Sequence, residues 1–507
     1  MTKIIDKIIG IYLFFYLSFF ITDYSFIFPK HPVSNISGPT GVFLLLLFLR
    51  WFVDKKGFSK SPFLKKIEGI DNINNAKFMF FAGSIIFFAF LVLGIVRHLA
   101  LSSSAFDLGI FDQAVWNASH GNGLYSSLRQ MDLMGDHFEP ILFFIVPFYK
   151  LWPSVNVLFI LQSLLLASAI IPLYLIAKAN FKEKIIIYAF IISYALSRPL
   201  RGIVLSDFHP ECFILPLLFW AYYLLLKRKD TLFFLTVFLL LLCKEDVTIL
   251  ISVLGIFSYF SQKRRVLGIS LFIGGIILWF IETKIFIPYF NPTGIFSYKN
   301  RLPFGAAYQD NLYAVFLNPI FLIKSLFSQP KMLYCLKLLG PVGFLPFLSP
   351  SHYILIVIPL FKNLLPTDIN FSGWYNITSH YTASLIPFIY IAAIYGAKKL
   401  ISKIKQQQTI LPVAAFIIVC SLFFYGKTDA NKISRFLKTI RQESTLDKIA
   451  YLKSIPTQAS IATNFNLVPH VSERKYVFIW NPQSKSSYNA EYLVIDLKRL
   501  DTWRNAR

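Results

Sequence analysis

The chain has 507 residues, of which 56% are hydrophobic, with 54 Phe, 26 Tyr and a mean hydropathy of +0.58. Repeated apolar runs of roughly 13 to 23 residues make it a polytopic helical membrane protein and exclude a soluble globular one. The formal charge of +24 does not point to nucleic acid, because Lys and Arg cluster in short segments flanking apolar runs, where they orient spans and attract anionic lipid. The four cysteines, Cys212, Cys243, Cys335 and Cys420, lie in or beside apolar runs without ligand-like spacing and read as packing residues.

Taken in chain order, Lys3 and Lys7 place the N-terminus in the cytoplasm. The run 8–26 lacks a small-residue cleavage site and reads as a permanent span, and a second near 41–53 returns to the basic segment from Lys55 to Lys66. A span over 78–96 delivers the loop 97–137 outside, where Asp107, Asp112, Asp132 and Asp136 face only Arg97 and Arg129. The stretch 138–152 is short and carries Pro140 and Pro147, so it is expected as an interfacial or re-entrant helix. Further spans are expected near 155–177, 185–198, 211–226, 231–243, 247–260, 266–288, 332–348, 351–365, 378–397 and 409–425. That makes an all-α membrane protein of about 13 transmembrane helices. Every strongly basic turn, Lys227-Arg228-Lys229, Lys263-Arg264-Arg265 and Lys398 to Lys405, then falls inside. After Gly426 the chain becomes polar and amphipathic, then reads SIATNF, KYVFIW and EYLVIDL as short β-like runs. Three parts result: 1–77, two additional N-terminal spans and a basic cytoplasmic loop; 78–425, the transmembrane core; and 426–507, a small extracytoplasmic α/β appendage.

Ionisable groups in or beside a bilayer cost several kcal/mol and mark functional sites. Charge bias alone assigns Asp107, Asp112, Asp136, His137, Asp207, His209, Glu211, Lys244, Glu245, Asp246 and His380 to the outer surface, so one shared outer pocket is expected. Asp107 is placed to cap a short helix starting at Leu108, and Asp112, five residues on, falls on a different face. In SDFHPE the proline favours an extended His209, which would turn Asp207, His209 and Glu211 to one side and suit a divalent metal ion or a proton relay. A helix start with Pro210 first and Glu211 on the helix dipole is the alternative. Lys244-Glu245-Asp246 interrupts an apolar stretch, as an internal ion pair or an anion contact. The loop 287–305 places Tyr289, Tyr298, Lys299 and Arg301 where cations and aromatics suit a phosphate and a stacked sugar, or plain interfacial anchoring. No Walker loop, GxSxG, HExxH or dinucleotide fingerprint is present, so ATP-driven transport and the familiar soluble hydrolases lose support.

DLGIFDQAVWNASHG, GDHFEPILFFIVPFYKLWP, LQSLLLASAIIPLYLIAK, SDFHPE, KED, NLVPHVSERKYVF and AEYLVIDL together, from about residue 80 onward, resemble the bacterial and archaeal membrane family called domain of unknown function 2079. That family looks like a distant relative of the GT-C glycosyltransferases, which move a sugar from a polyprenyl-phosphate donor to an acceptor at the outer face. The resemblance implies a GT-C-like core with an essential acid in the first large outer loop, here Asp107 or Asp112, followed by interfacial helices and a span ending at Lys178. It implies Asp107 or Asp112 as general base, and His137, His209 and Glu211 as residues that position the base or hold a metal. Lys244 and Arg301 would neutralise the leaving phosphate, with Asp136, Glu245, Asp246, Lys299 and His380 around the substrate. The implied partners are a polyprenyl-phosphate-linked sugar donor and the bilayer of the cytoplasmic membrane. A transporter or flippase of a lipid-linked or anionic solute is the alternative function, and a noncatalytic envelope-assembly protein is a third.

Overall fold

A computed structural model of the protein describes residues 73–294, 319–366, 373–404, 410–425, 427–481 and 490–497. The expected spans at 8–26 and 41–53, and Tyr298, Lys299 and Arg301, lie outside the described residues. The first helix, α1 (Asn75–Leu99), starts where the Asn74 side chain accepts the backbone N–H groups of Ala76 and Lys77. It buries Ile86, Phe90 and Leu93 and leaves Phe80, Phe81, Ile85, Phe88 and Val92 exposed, an apolar outer face that water would not tolerate and lipid would.

The loop after α1 makes a π-helical turn over Ala105–Gly109, then α2 (Ile110–Ser119), a two-stranded hairpin of β1 (Tyr125–Ser126) and β2 (Met131–Asp132), a 3₁₀ turn over Pro140–Phe144 and the six-residue α3 (Val146–Leu151). The stretch expected as interfacial is thus two short pieces set after Pro140 and around Pro147. The membrane core follows as α4 (Asn156–Ser168), α5 (Ile170–Lys178), α6 (Lys184–Leu196), α7 (Arg198–Leu205), α8 (Glu211–Leu226), α9 (Asp230–Leu241), α10 (Val247–Phe260) and α11 (Arg265–Ile281). Then come α12 (Gln329–Leu339), α13 (Tyr353–Leu364), α14 (Ile386–Ile404) and α15 (Ile410–Phe423).

Among the described residues four helices are long and apolar enough to cross a membrane: Asn75–Leu99, Asn156–Lys178, Arg265–Phe290 and His380–Lys403. Glu211–Leu226, Asp230–Leu241, Val247–Phe260 and Ile410–Phe423 are apolar and stand where spans were expected, but are shorter. The run 332–348 does not continue as one helix. Pro341 and Pro346 break it, and Gly343 and Phe344 both take positive φ, at 61° and 56°.

Contacts fix which helix ends lie together. Arg264 donates to both carboxylate oxygens of Asp230, joining the α8–α9 and α10–α11 turns. Lys398 reaches Asn180 at 3.2 Å and Lys184 reaches the Ile73 carbonyl at 3.0 Å, so the basic ends of α5, α6 and α14 share an end with the start of α1. The opposite end carries Arg97, the loop 100–139, the start of α8 and the turn 242–246, with Lys362 at the end of α13 on Asp246 at 2.5 Å.

At that opposite end the chain returns after the core as α16 (Lys427–Ile440) and α17 (Glu443–Ser454), then a parallel sheet with β3 (Ile461–Thr463) between β4 (Val477–Ile479) and β5 (Tyr492–Val494). Its small apolar core includes Ile461, Leu467, Val468 and Val477 and continues into Leu101 and Ala105 of the first loop. The C-terminal unit is therefore seated on that loop.

Candidate functional site

The π-helical turn at 105–109 puts two consecutive loop residues, Phe106 and Asp107, at the mouth of a cleft of about 160 Å³. Phe106, Asp107, Ile110, Phe111, Arg129, Leu133, Asp136, His137, Glu139, His209, Lys244, His380 and Tyr381 line it. Asp107 caps no helix. It lies inside the turn, whose N-cap is Ser104, and its Oδ1 meets Nε2 of His209 at 3.2 Å. The side chain keeps 39% of its exposure, so one carboxylate edge faces the cleft. Burial of the rest pushes the carboxyl up, but the hydrogen bond and charge of His209, with His380 and Ser104, outweigh it and hold the pKa down to about 2.

His209 is positioned from three sides. Its ring stacks on His380 at 3.6 Å, meets Phe111 edge-on at 5.5 Å, and turns Nδ1 to the Asp207 carbonyl at 3.4 Å. Asp207 does not join it. The sequence placed Asp207, His209 and Glu211 on one side of an extended strand, but Asp207 takes φ of +67° and aims its carboxylate at Arg97 and at the Ser104 amide, 2.8 Å away. Gln162 donates to the Asp207 carbonyl at 3.2 Å, which pins the same left-handed residue. Such a backbone costs on the order of 1–3 kcal/mol and persists where surrounding bonds over-determine it. The metal candidates are therefore not gathered. Among the described residues no group of three or more His, Cys, Asp and Glu side chains could hold a metal ion.

Glu211 opens α8 and turns Oε1 to Lys244 at 2.6 Å, with His380 Nε2 3.7 Å from the same oxygen. Lys244 is 3% exposed and also faces Glu139 at 3.8 Å. Glu139 was not singled out in the sequence. Its own burial, opposed by Lys244 and helped by Glu211, Glu245 and Asp136, raises its pKa well above the usual carboxylate range. Glu245 holds the neighbouring turn: its oxygens take His137 Nδ1 at 2.8 Å and the Phe138 amide at 3.1 Å. Asp246 points elsewhere, to Lys362. Gly135 lets the 133–138 turn approach the end of the long 265–290 helix, since a Cβ there would lie 2.7 Å from the Phe290 carbonyl, and Asn291 donates to the Gly135 carbonyl at 2.9 Å.

Arg129 is the other residue that the sequence named only as a charge on the loop. It pairs with Asp136 at 3.1 Å, lies 5.1 Å from the Phe106 ring and presents its guanidinium to the cleft. Its signal was its rarity: one of two cations in an acidic outer loop.

Asp112, the second acid of the loop, is absent from the cleft. It is fully buried between α3 and the C-terminal unit, accepting from Tyr149 Oη at 2.6 Å and Ser472 Oγ at 2.6 Å. Burial, reinforced by Glu473, raises its pKa well above the ordinary value. The adjacent Gln113 donates to Ser127 Oγ at 2.8 Å and the Lys475 carbonyl at 3.1 Å and accepts from Ser126 Oγ at 2.8 Å. Asp112 and Gln113 thus fasten residues 472–477 to the first loop.

Of the sequence-selected residues, Asp107, Asp136, His137, His209, Lys244 and His380 line one cleft, with Glu211 and Glu245 directly behind it. Asp112, Asp207 and Asp246 point away. A comparison with curated proteins finds no match. The family profile DUF2079, described as predicted membrane protein, matches residues 97–507, which include every residue of the cleft. The chain belongs to this family of membrane proteins.

Proposed function

We propose that the protein is a glycosyltransferase of GT-C type, moving a sugar from a polyprenyl-phosphate donor to an acceptor hydroxyl at the extracytoplasmic face of the cytoplasmic membrane. The observation that carries the reading is Asp107: an ionised carboxylate in the first large loop, one edge held by His209 and the other open to a cleft. The cleft lies at the end of the bundle opposite the basic turns at 227–229, 263–265 and 398–403, which the charge rule puts in the cytoplasm.

In the proposed step the acceptor oxygen attacks the anomeric carbon, the bond from that carbon to the phosphate oxygen breaks, and polyprenyl phosphate leaves. The hydroxyl proton passes to Asp107. A carboxylate with a pKa of about 2 is a weak base toward a free alcohol, so the transfer comes late, as the forming bond acidifies the hydroxyl. His209 keeps the carboxylate aimed, and the His380 stack keeps His209 in place. The cation offered to the leaving phosphate is Arg129 rather than Lys244, because Arg129, though paired with Asp136, keeps 31% of its side chain exposed, whereas Lys244 is buried against Glu211 and faces Glu139. No step needs the Asp207, His209, Glu211 metal set.

One observation favours the transporter reading. Glu282, buried in a π-helical turn that continues α11, and the pair Asp246–Lys362 add ionisable groups within apolar helices at the cleft end of the bundle, as a translocation path requires. Purified protein in nanodiscs, given a polyprenyl-phosphate radiolabelled hexose and a panel of saccharide acceptors, separates the two. Label appearing in water-soluble product, and lost in Asp107→Asn, supports transfer. Label that changes leaflet in proteoliposomes with its phosphate bond intact contradicts it.

A further inference from the structure

The C-terminal unit holds a second concavity, distinct from the Asp107 cleft. Its three strands are parallel with β3 in the middle, so the chain leaves β3 for β4 on one side and then crosses to β5 on the other. The strand order therefore reverses between β3 and β5. In open parallel sheets, ligands collect outside the carboxyl ends of the strands at such a switch point. A cavity of about 410 Å³ lies at that place: Leu467 follows β3, Val494 ends β5, Asp496 comes just after it, and α17 supplies Lys448, Tyr451 and Leu452. The Asp496 amide donates to Asn464 Oδ1 at 2.6 Å, which ties together the two strand ends that frame it.

We infer that this crevice binds a neutral saccharide. Leu452 and Leu467 form a buried apolar floor, while the Tyr451 ring stands 60% exposed. Among the described lining residues Lys448 and Asp496 are the charged side chains, and they meet at 2.7 Å with opposite charge, so this pair favours neither an anion nor a cation. The ammonium has three N–H donors, of which the pair uses one, and Ser444 adds a hydroxyl at the rim. A sugar ring matches this lining: its C–H face covers an aromatic ring and apolar floor, and its hydroxyls meet the paired charges at the edge. The loop that leaves β3 also sets Phe465 edge-on to Phe106 at 5.5 Å, at the lip of the Asp107 cleft. One loop thus borders both sites. The binding stands on its own geometry, whereas its role as the subsite for an acceptor glycan rests on the transfer reading above.

The test is saturation-transfer NMR on the full chain in nanodiscs, without donor, using maltopentaose, mannopentaose and chitopentaose as probes. At least one should receive saturation at its ring C–H protons. Tyr451→Ala should lower that signal about fivefold, Tyr451→Trp should keep it, and an excess of a galacturonate oligomer should compete no better than its neutral counterpart. Because Tyr451 is exposed, its replacement leaves the fold intact, and Asp107→Asn should bind as wild type, which separates failure of this site from failure of transfer. Absence of saturation in all three probes, an equal signal in Tyr451→Ala, or preference for the galacturonate oligomer overturns the inference.

Discussion

Asp107 and Asp112 stand five residues apart in one loop, and their surroundings give them opposite chemistry. Asp107 is ionised and open to the cleft, so Asp107→Asn should lower transfer by about 10²–10⁴-fold with donor binding unchanged, the amide keeping the shape and losing the basicity. Asp112 is sealed between Tyr149 and Ser472, so Asp112→Asn should retain transfer, while Asp112→Ala should lower stability by about 1–3 kcal/mol because two buried hydroxyls lose their acceptor. The pH dependence differs in sign. Asp107 is depressed from 3.8 to about 2, so its contribution to stability is present above pH 4 and fades as pH falls toward 2. Asp112 is raised, so its contribution is full below pH 3.8 and fades as pH rises through the folded value. Thermal unfolding of wild type and Asp112→Asn against pH should show the wild type losing stability relative to the variant on the alkaline side. Asp107 was legible in the sequence as a costly acid in the first large loop. Its difference from Asp112 was not, because nothing local says that Ser472, 360 residues on, closes over one acid and leaves the other open.

At the scale of elements, apolar runs located α1, the α4–α5 pair, α8 to α11 and α15 within a few residues, since each combines an uninterrupted hydrophobic stretch with a polar or basic stop. The run at 332–348 failed as one helix for a reason present in the sequence, Pro341, Gly343 and Pro346, which its overall hydropathy hid. The Lys244-Glu245-Asp246 turn is where length decides. Twelve residues of α9 rise only about 18 Å, short of a hydrocarbon core of about 30 Å, and charges at the end of so short an apolar helix need partners. They do, and each of the three finds a different one: Glu211, His137 and Lys362. Gln113 is the matching element-level clasp for the C-terminal unit. Gln113→Leu takes the acceptor from the buried Ser126 hydroxyl and Ser127 amide and removes the bond to the Lys475 carbonyl, so limited proteolysis should cut within 427–481 faster than in wild type, with stability reduced by about 1–3 kcal/mol. Unchanged protection would mean that the apolar seam through Leu101 and Val468 alone holds the unit down.

For the whole molecule, first loop and C-terminal unit touch across Gln113, Asp112, Ser127 and the seam at Leu101, so both lie on one side of the membrane. Asn122 and Lys475 are exposed points on the two, and the four native cysteines are buried. Asn122→Cys and Lys475→Cys should therefore both react with an impermeant thiol reagent in intact protoplasts. Protection of both would put the cleft in the cytoplasm, and with it the donor. The sequence made legible that costly ionisable groups gather at one end of the bundle, but not the lipid-linked donor, since a cleft of paired charges is compatible with several solutes. The most direct measurement is a density map of the protein in nanodiscs with a nonhydrolysable polyprenyl-phosphonate sugar bound. Phosphonate density is expected beside Arg129, with the anomeric carbon turned toward the open edge of Asp107 and the Asp107–His209 contact intact. Phosphonate density at the basic end of the bundle, near the 227–229 and 263–265 turns, with the cleft unchanged, would contradict it.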